Sequence, residues 1–171
     1  MTMSESRRLD RCSGCGLVVE GGDEGCNARF QQLTGRSFGD VRFGRLHSMV
    51  VDTYCLQHPD RYCLSAKSLA AHLCGLCWAM ERGGDTGMPN MALRHWLDGT
   101  VSLVKPKLPA ERGEFTIGDV DGPDDPAAFE KAVIIWAGAV WAAYEPLHTT
   151  ARQWLDEAMA GGPTGQRHGL R

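Results

Sequence analysis

Cys12-Ser-Gly-Cys15-Gly is a CxxC knuckle. A two-residue gap, with glycine on both sides of the second cysteine, lets both thiolates face one ion at Zn–S distances of about 2.3 Å. Cys26 follows a glycine-rich turn at the mouth of a predicted helix, and a helix N-terminus favours thiolate. Three soft ligands need a fourth to close a tetrahedron. The candidates are His47, Cys63 and the pair Cys74/Cys77. His47 is the preferred fourth ligand, because it stands near the start of the next predicted helix, nearest the Cys26 helix. His58 lies on the same helical face eleven residues on, about 16 Å away, so one straight helix cannot give both histidines to one metal. Four protein ligands leave no open position, so the expected cofactor is structural zinc.

A second CxxC, Cys74-Gly-Leu-Cys77, falls inside a predicted helix. There it reads as two small core residues, a redox pair or further metal ligands. The remaining chemistry is spread over the helices. Tyr54 precedes His58 by one turn, and His58 sits at a helix C-terminus where a cation is favoured. His148 and Arg152 share a helix face at i and i+4 and could grip an anion. Trp136, Trp141, Tyr144 and Trp154 add aromatic mass nearby. A pocket or partner surface lined by Tyr54, His58, Trp141, His148 and Arg152 is the expectation.

The chain has 171 residues, 43% hydrophobic and 23% charged, with a formal net charge of -3. That is globular composition without a whole-molecule basic footprint. The longest apolar run, 132–144, is short for a bilayer. Seven cysteines, an odd number, and no visible secretory or lipidation pattern predict a reducing cytoplasm and no membrane. The chain shows no dinucleotide fingerprint, P-loop, serine-hydrolase elbow or EF-hand loop.

The positioning elements follow from periodicity and punctuation. A cysteine-rich metal-binding loop over 11–26 precedes a short helix over 27–33, stopped at Gly35, and a longer one over 40–57, stopped by His58-Pro59. Leu69, Leu73, Leu76 and Met80 make one stripe on a helix over 65–81 with Ser65 as N-cap. A short helix over 89–97 comes next. Residues 99–125 read as a long irregular crossover with β-like pieces at 101–104 and 114–117. Asp125-Pro126 opens a buried helix ending near Pro146, and a last helix runs to residue 160. The fold class is mainly α: a compact helical bundle with an N-terminal zinc-knuckle-like loop. It forms one domain over 11–160, between a flexible start at 1–10 and a tail at 161–171.

CSGCG, the Gly25-Cys26 pair and FGRLHSMVVDTYCLQHP at 43–59 resemble the DUF5946 family. So do RGEFTIGDV at 112–120 and the stretch at 125–155. The resemblance covers roughly 12–155 and implies that Cys12, Cys15, Cys26 and His47 are metal-type positions. It also marks Tyr54, Gln57, His58, Trp136, Trp141, His148, Arg152 and Trp154 as recurring. Ser13 stands where that family often has proline. No activity comes with the resemblance.

The function these observations favour is a zinc-stabilised binding or regulatory protein acting on a protein or small-molecule partner, with a homodimer open to it. The alternative is an enzyme using His58 and His148, with His72 as a third imidazole, for acid/base or metal chemistry. A DNA-binding zinc module ranks last, because Glu20, Asp23 and Glu24 make the cysteine segment acidic.

Overall fold

The chain opens on a two-stranded hairpin that carries the CxxC knuckle at its tip. β1 (Leu9–Arg11) pairs antiparallel with β2 (Val18–Glu20), Asp10 opposite Val19. The computed structural model describes residues 8–83, 87–120, 122 and 124–161. Most of the expected flexible start and tail, 1–7 and 162–171, lies outside the described residues. Leu9 and Asp10, expected to fray, are instead held in β1.

Helix α1 (Asp23–Gly39) starts earlier and ends later than its pattern predicts. Asp23 and Glu24 in its first turn suit the positive end of the helix dipole. Gly35 does not stop it: Leu33 and Ser37 on either side are both buried, and that packing carries the helix through an exposed glycine. The predicted single helix over 40–57 is broken in two, α2 (Val41–Gly44) and α3 (His47–Gln57), with Asp40 capping α2 through the Arg42 N–H. Together α1, α2 and α3 form a helical hairpin. Phe30 stacks on Tyr54 with ring centroids 3.9 Å apart, and Ser37 bonds His47. Each of these pairs is centred in sequence on Arg42.

After α4 (Pro59–Tyr62), α5 (Ala66–Cys77) begins as predicted, with Ser65 and Ser68 forming a reciprocal cap. It continues as a π-helical turn, Trp78–Arg82. Then come α6 (Gly87–Asp98), α7 (Pro126–Ala143) and α8 (His148–Ala160), the last two joined by a 3₁₀ turn at Glu145–Leu147 that accommodates Pro146. Asp125 caps α7 through the Ala128 N–H, with Pro126 in its first turn. The β-like pieces at 101–104 and 114–117 form no strand. Among its described residues the crossover is irregular apart from one 3₁₀ turn, Ile117–Asp119, capped by Thr116.

The fold is mainly helical. α3 lies at its centre, against α1, α5 and α7, and α8 covers α5 and α6. The apolar stripe of Leu69, Leu73 and Leu76 is fully buried with Val50, Leu56, Trp136 and Leu155. By length and composition, α7 is apolar enough to cross a membrane. Its Phe129, Val133, Trp136, Ala137, Val140 and Trp141 are nevertheless packed into the core.

Candidate metal centre

The hairpin tip is a tight loop. The Cys12 N–H reaches the Leu17 carbonyl at 2.8 Å, and the Gly16 N–H reaches the Cys12 carbonyl at 2.9 Å. That turns the thiols of Cys12 and Cys15 towards the start of α1. Asp23 clamps the loop there, its carboxylate accepting from the Ser13 N–H at 2.6 Å and the Ser13 hydroxyl at 2.8 Å. Cys26, in the first turn of α1, is wholly buried beneath them.

The structure brings His58, not His47, to the three cysteines. The ligand atoms of Cys12, Cys15, Cys26 and His58 all lie within 4.8 Å of one another. His58 Nε2 is 3.4 Å from Cys12 Sγ and 3.5 Å from Cys26 Sγ, and the sulfurs of Cys15 and Cys26 are 3.7 Å apart. A tetrahedral zinc with ordinary bond lengths requires S···S edges of about 3.8 Å and S···N edges of about 3.6 Å. These three separations match such edges and the other three are no longer than 4.8 Å, so the four side chains fit the group.

The meeting of His58 with the cysteines has a simple physical cause. In an antiparallel helical hairpin the start of α1 meets the end of α3. Cys26 and His58 stand sixteen residues either side of Arg42. His47, at the other end of α3, meets the end of α1. There it shares a 2.6 Å hydrogen bond with Ser37 and packs edge-on to Phe38. Burial pushes the His47 pKa down.

The surroundings of the cluster tune its donors. His58 Nδ1–H donates to the Tyr54 carbonyl at 2.7 Å, which leaves the Nε2 lone pair for the ion. The Tyr54 ring stacks on the imidazole at 4.0 Å, and its hydroxyl donates to Cys26 Sγ at 3.6 Å. The Cys15 thiol bonded to Cys26, together with His58 and Tyr54, pushes the Cys26 pKa down. The same bond to Cys26, with burial, pushes Cys15 up, and burial pushes Cys12 up. Position 14 admits only glycine, because a Cβ there would come within 2.3 Å of His58 Cδ2.

The other cysteines take no part. Cys74 and Cys77 are both fully buried, Cys74 donating weakly to the Ala151 carbonyl. Burial drives their pKa values up, that of Cys77 to about 11, which disfavours the reactive thiolate and suits core thiols. Burial likewise raises Cys55 and Cys63, the latter to about 12.

The expected pocket of Tyr54, His58, Trp141, His148 and Arg152 is not assembled. Tyr54 is 1% exposed and His58 9%, both spent on the cysteine cluster. His148 stacks on Trp141 at 3.8 Å and donates to its carbonyl at 2.9 Å. Arg152 gives one edge of its guanidinium, Nε and Nη2, to Glu81 at 2.7 and 2.8 Å, which ties it to α5's continuation and not to the other four residues. His58, His72 and His148 each engage different neighbours and form no triad among the described residues.

Sequence reasoning undervalued Gln57. Fully buried, its amide donates to the carbonyls of Arg112 and Phe115 at 2.9 and 2.7 Å, and its oxygen accepts from Trp136 Nε1 at 2.9 Å. It thus ties the crossover and α7 to the residue next to His58. Its place beside His58 at the helix end was the available signal.

No curated protein and no solved structure matches the chain. A family model described as a family of unknown function, DUF5946, matches residues 10–145, a span that contains all of the hairpin but Leu9, all four clustered donors and Gln57. With a match over most of its length, the chain belongs to the DUF5946 family.

Proposed function

We propose that the protein is a zinc-stabilised binding or regulatory protein of a reducing compartment, in which Cys12, Cys15, Cys26 and His58 hold one structural zinc. The observation that carries this reading is the match between the donor spacings and the edges of a zinc tetrahedron. Three thiolates and one imidazole are a soft donor set suited to zinc over calcium, magnesium or manganese. Bound there, zinc would tie the hairpin, the start of α1 and the end of α3 together. Four protein donors leave no position for a substrate, which favours a role in folding over one in catalysis. Among the described residues, His58 and His148 share no hydrogen bond or ring contact, so the enzyme alternative built on them gains no support.

Cobalt substitution tests the donor set. The zinc-free protein refilled with Co²⁺ is expected to develop the intense visible ligand-field bands of a tetrahedral ion together with thiolate charge transfer. His58→Ala should weaken and shift those bands, and His47→Ala should leave them unchanged. Pale octahedral absorption in the wild type would overturn the reading.

A further inference from the structure

α3 carries chemistry at its other end as well. α3, α5 and α6 line an open cleft of about 390 Å³. Its walls are largely apolar, with Val51 from α3, Ala71 from α5, and Leu93 and Leu97 from α6. Into it project His72 and Asp52, whose side chains are 21% and 13% exposed. His72 Nδ1–H donates to Asp52 Oδ1 at 2.9 Å.

This pair is built into the fold. The other oxygen of Asp52 lies against Gly75, one turn past His72, where a Cβ would come within 2.1 Å of it. Only glycine at 75 leaves room for the carboxylate, so the α3–α5 contact is shaped around Asp52. The consequence is tautomeric. An imidazole that donates from Nδ1 presents a lone pair at Nε2. Among the described residues, His72 Nε2 meets no hydrogen-bond partner.

We propose that this cavity is a binding site for a small, mainly apolar alcohol or amine, whose O–H or N–H donates to His72 Nε2 while its hydrocarbon part lies against Val51, Leu93 and Leu97. Size supports this, because cavities of a few hundred Å³ with apolar walls and a few aimed polar groups are typical small-molecule sites. Charge supports it as well. Asp52 and Asp98 both line the cavity, and among the described lining residues one Arg or Lys, Arg94, points at Asp98 from an exposed position 4.0 Å away. A carboxylate or phosphate would meet net negative charge, and a neutral or cationic donor would not. Asp52 acts as a positioning residue, fixing the tautomer and orientation of His72. The inference rests on the reading of the chain as a binding protein and gives that role a ligand class.

The test uses the zinc-loaded full chain and four probes that share a benzene ring: benzyl alcohol, benzylamine, toluene and benzoate. Binding is followed by NMR at the methyls of Val51, Leu93 and Leu97 and at the imidazole nitrogens of His72. Benzyl alcohol and benzylamine are expected to saturate these signals about fivefold to tenfold more tightly than toluene, the worth of one hydrogen bond. Benzoate should bind most weakly. His72→Phe should erase the preference for alcohol over toluene and keep toluene binding. Ala71→Leu, which narrows the cavity without touching the pair, should weaken all probes. Equal binding of toluene and benzyl alcohol, tightest binding of benzoate, or no saturation by any probe would overturn the proposal. Zinc content measured on the same samples separates this result from the metal reading: probe binding without zinc would sink the latter alone.

Discussion

At the scale of single residues, the sequence segment Tyr54–Pro59 concentrates the function of the centre in one helical turn. Tyr54 donates to Cys26 and accepts from His58, and His58 supplies the fourth donor. Tyr54→Phe removes only the hydroxyl, so the variant should fold and bind zinc about tenfold more weakly, as loss of a supporting hydrogen bond generally does. Competition with a chromogenic chelator measures it, and unchanged affinity would contradict the role given to the hydroxyl. Asp23 offers a pH test. The Ser13 N–H and hydroxyl hold its carboxyl below the ordinary 3.8. A depressed carboxyl contributes stability that is present above its unfolded pKa and is lost only as pH falls through the lower folded value. The stability difference between wild type and Asp23→Asn should therefore be constant from about pH 7 to about pH 5. Urea melts across that range check it, and a gap that closes within it would contradict the clamp. The cysteines were legible at this scale because a CxxC with flanking glycines has few other uses. The histidine was not: His47 and His58 lie on one face of one helix, and nothing local says which end meets the knuckle.

At the scale of elements, that choice is made by the α1–α3 hairpin. Cys26 with His58, Phe30 with Tyr54 and Ser37 with His47 are three rungs of one antiparallel ladder centred on Arg42. Reading Gly35 as a stop shortened α1 and hid the ladder. Over its seventeen residues α1 runs about 25 Å, carrying its end, and with it His47, away from Cys26. The caps of α5 and α7 were legible, because Ser65 and Asp125-Pro126 act through local hydrogen bonds. The strands at 9–11 and 18–20 were not, because each is only three residues long and is held by its partner. Gln57 joins the elements around the centre. Gln57→Leu keeps the volume but leaves the Trp136 N–H and two carbonyls without their partner, so it should cost about 3 kcal/mol in chemical denaturation. A loss below about 1 kcal/mol would mean that these groups find other partners.

At the scale of the whole molecule, the bundle and the metal centre divide the work of folding. The helices α3, α5, α7 and α8 bury a continuous apolar core around Leu73, Trp136 and Leu155. The hairpin of β1 and β2 has little apolar surface to bury: Leu9 and Val18 are more than half exposed, while Val19 and Cys12 are buried and Cys15 and Leu17 partly so. On the proposed reading, zinc in the cluster it shares with α1 and α3 would add to its attachment, beside the Asp23–Ser13 bonds. The mainly helical architecture was legible from apolar periodicity. The cavity between α3, α5 and α6 was not, because it arises from how three helices stand apart and no helix reports that alone. The account's central claim is that one zinc is held by Cys12, Cys15, Cys26 and His58, and elemental mass spectrometry of the purified chain tests it most directly. One zinc per chain is expected in the wild type and in His47→Ala, with loss in Cys26→Ser and His58→Ala. Zinc retained in His58→Ala and lost in His47→Ala, or no metal in the wild type, would contradict it.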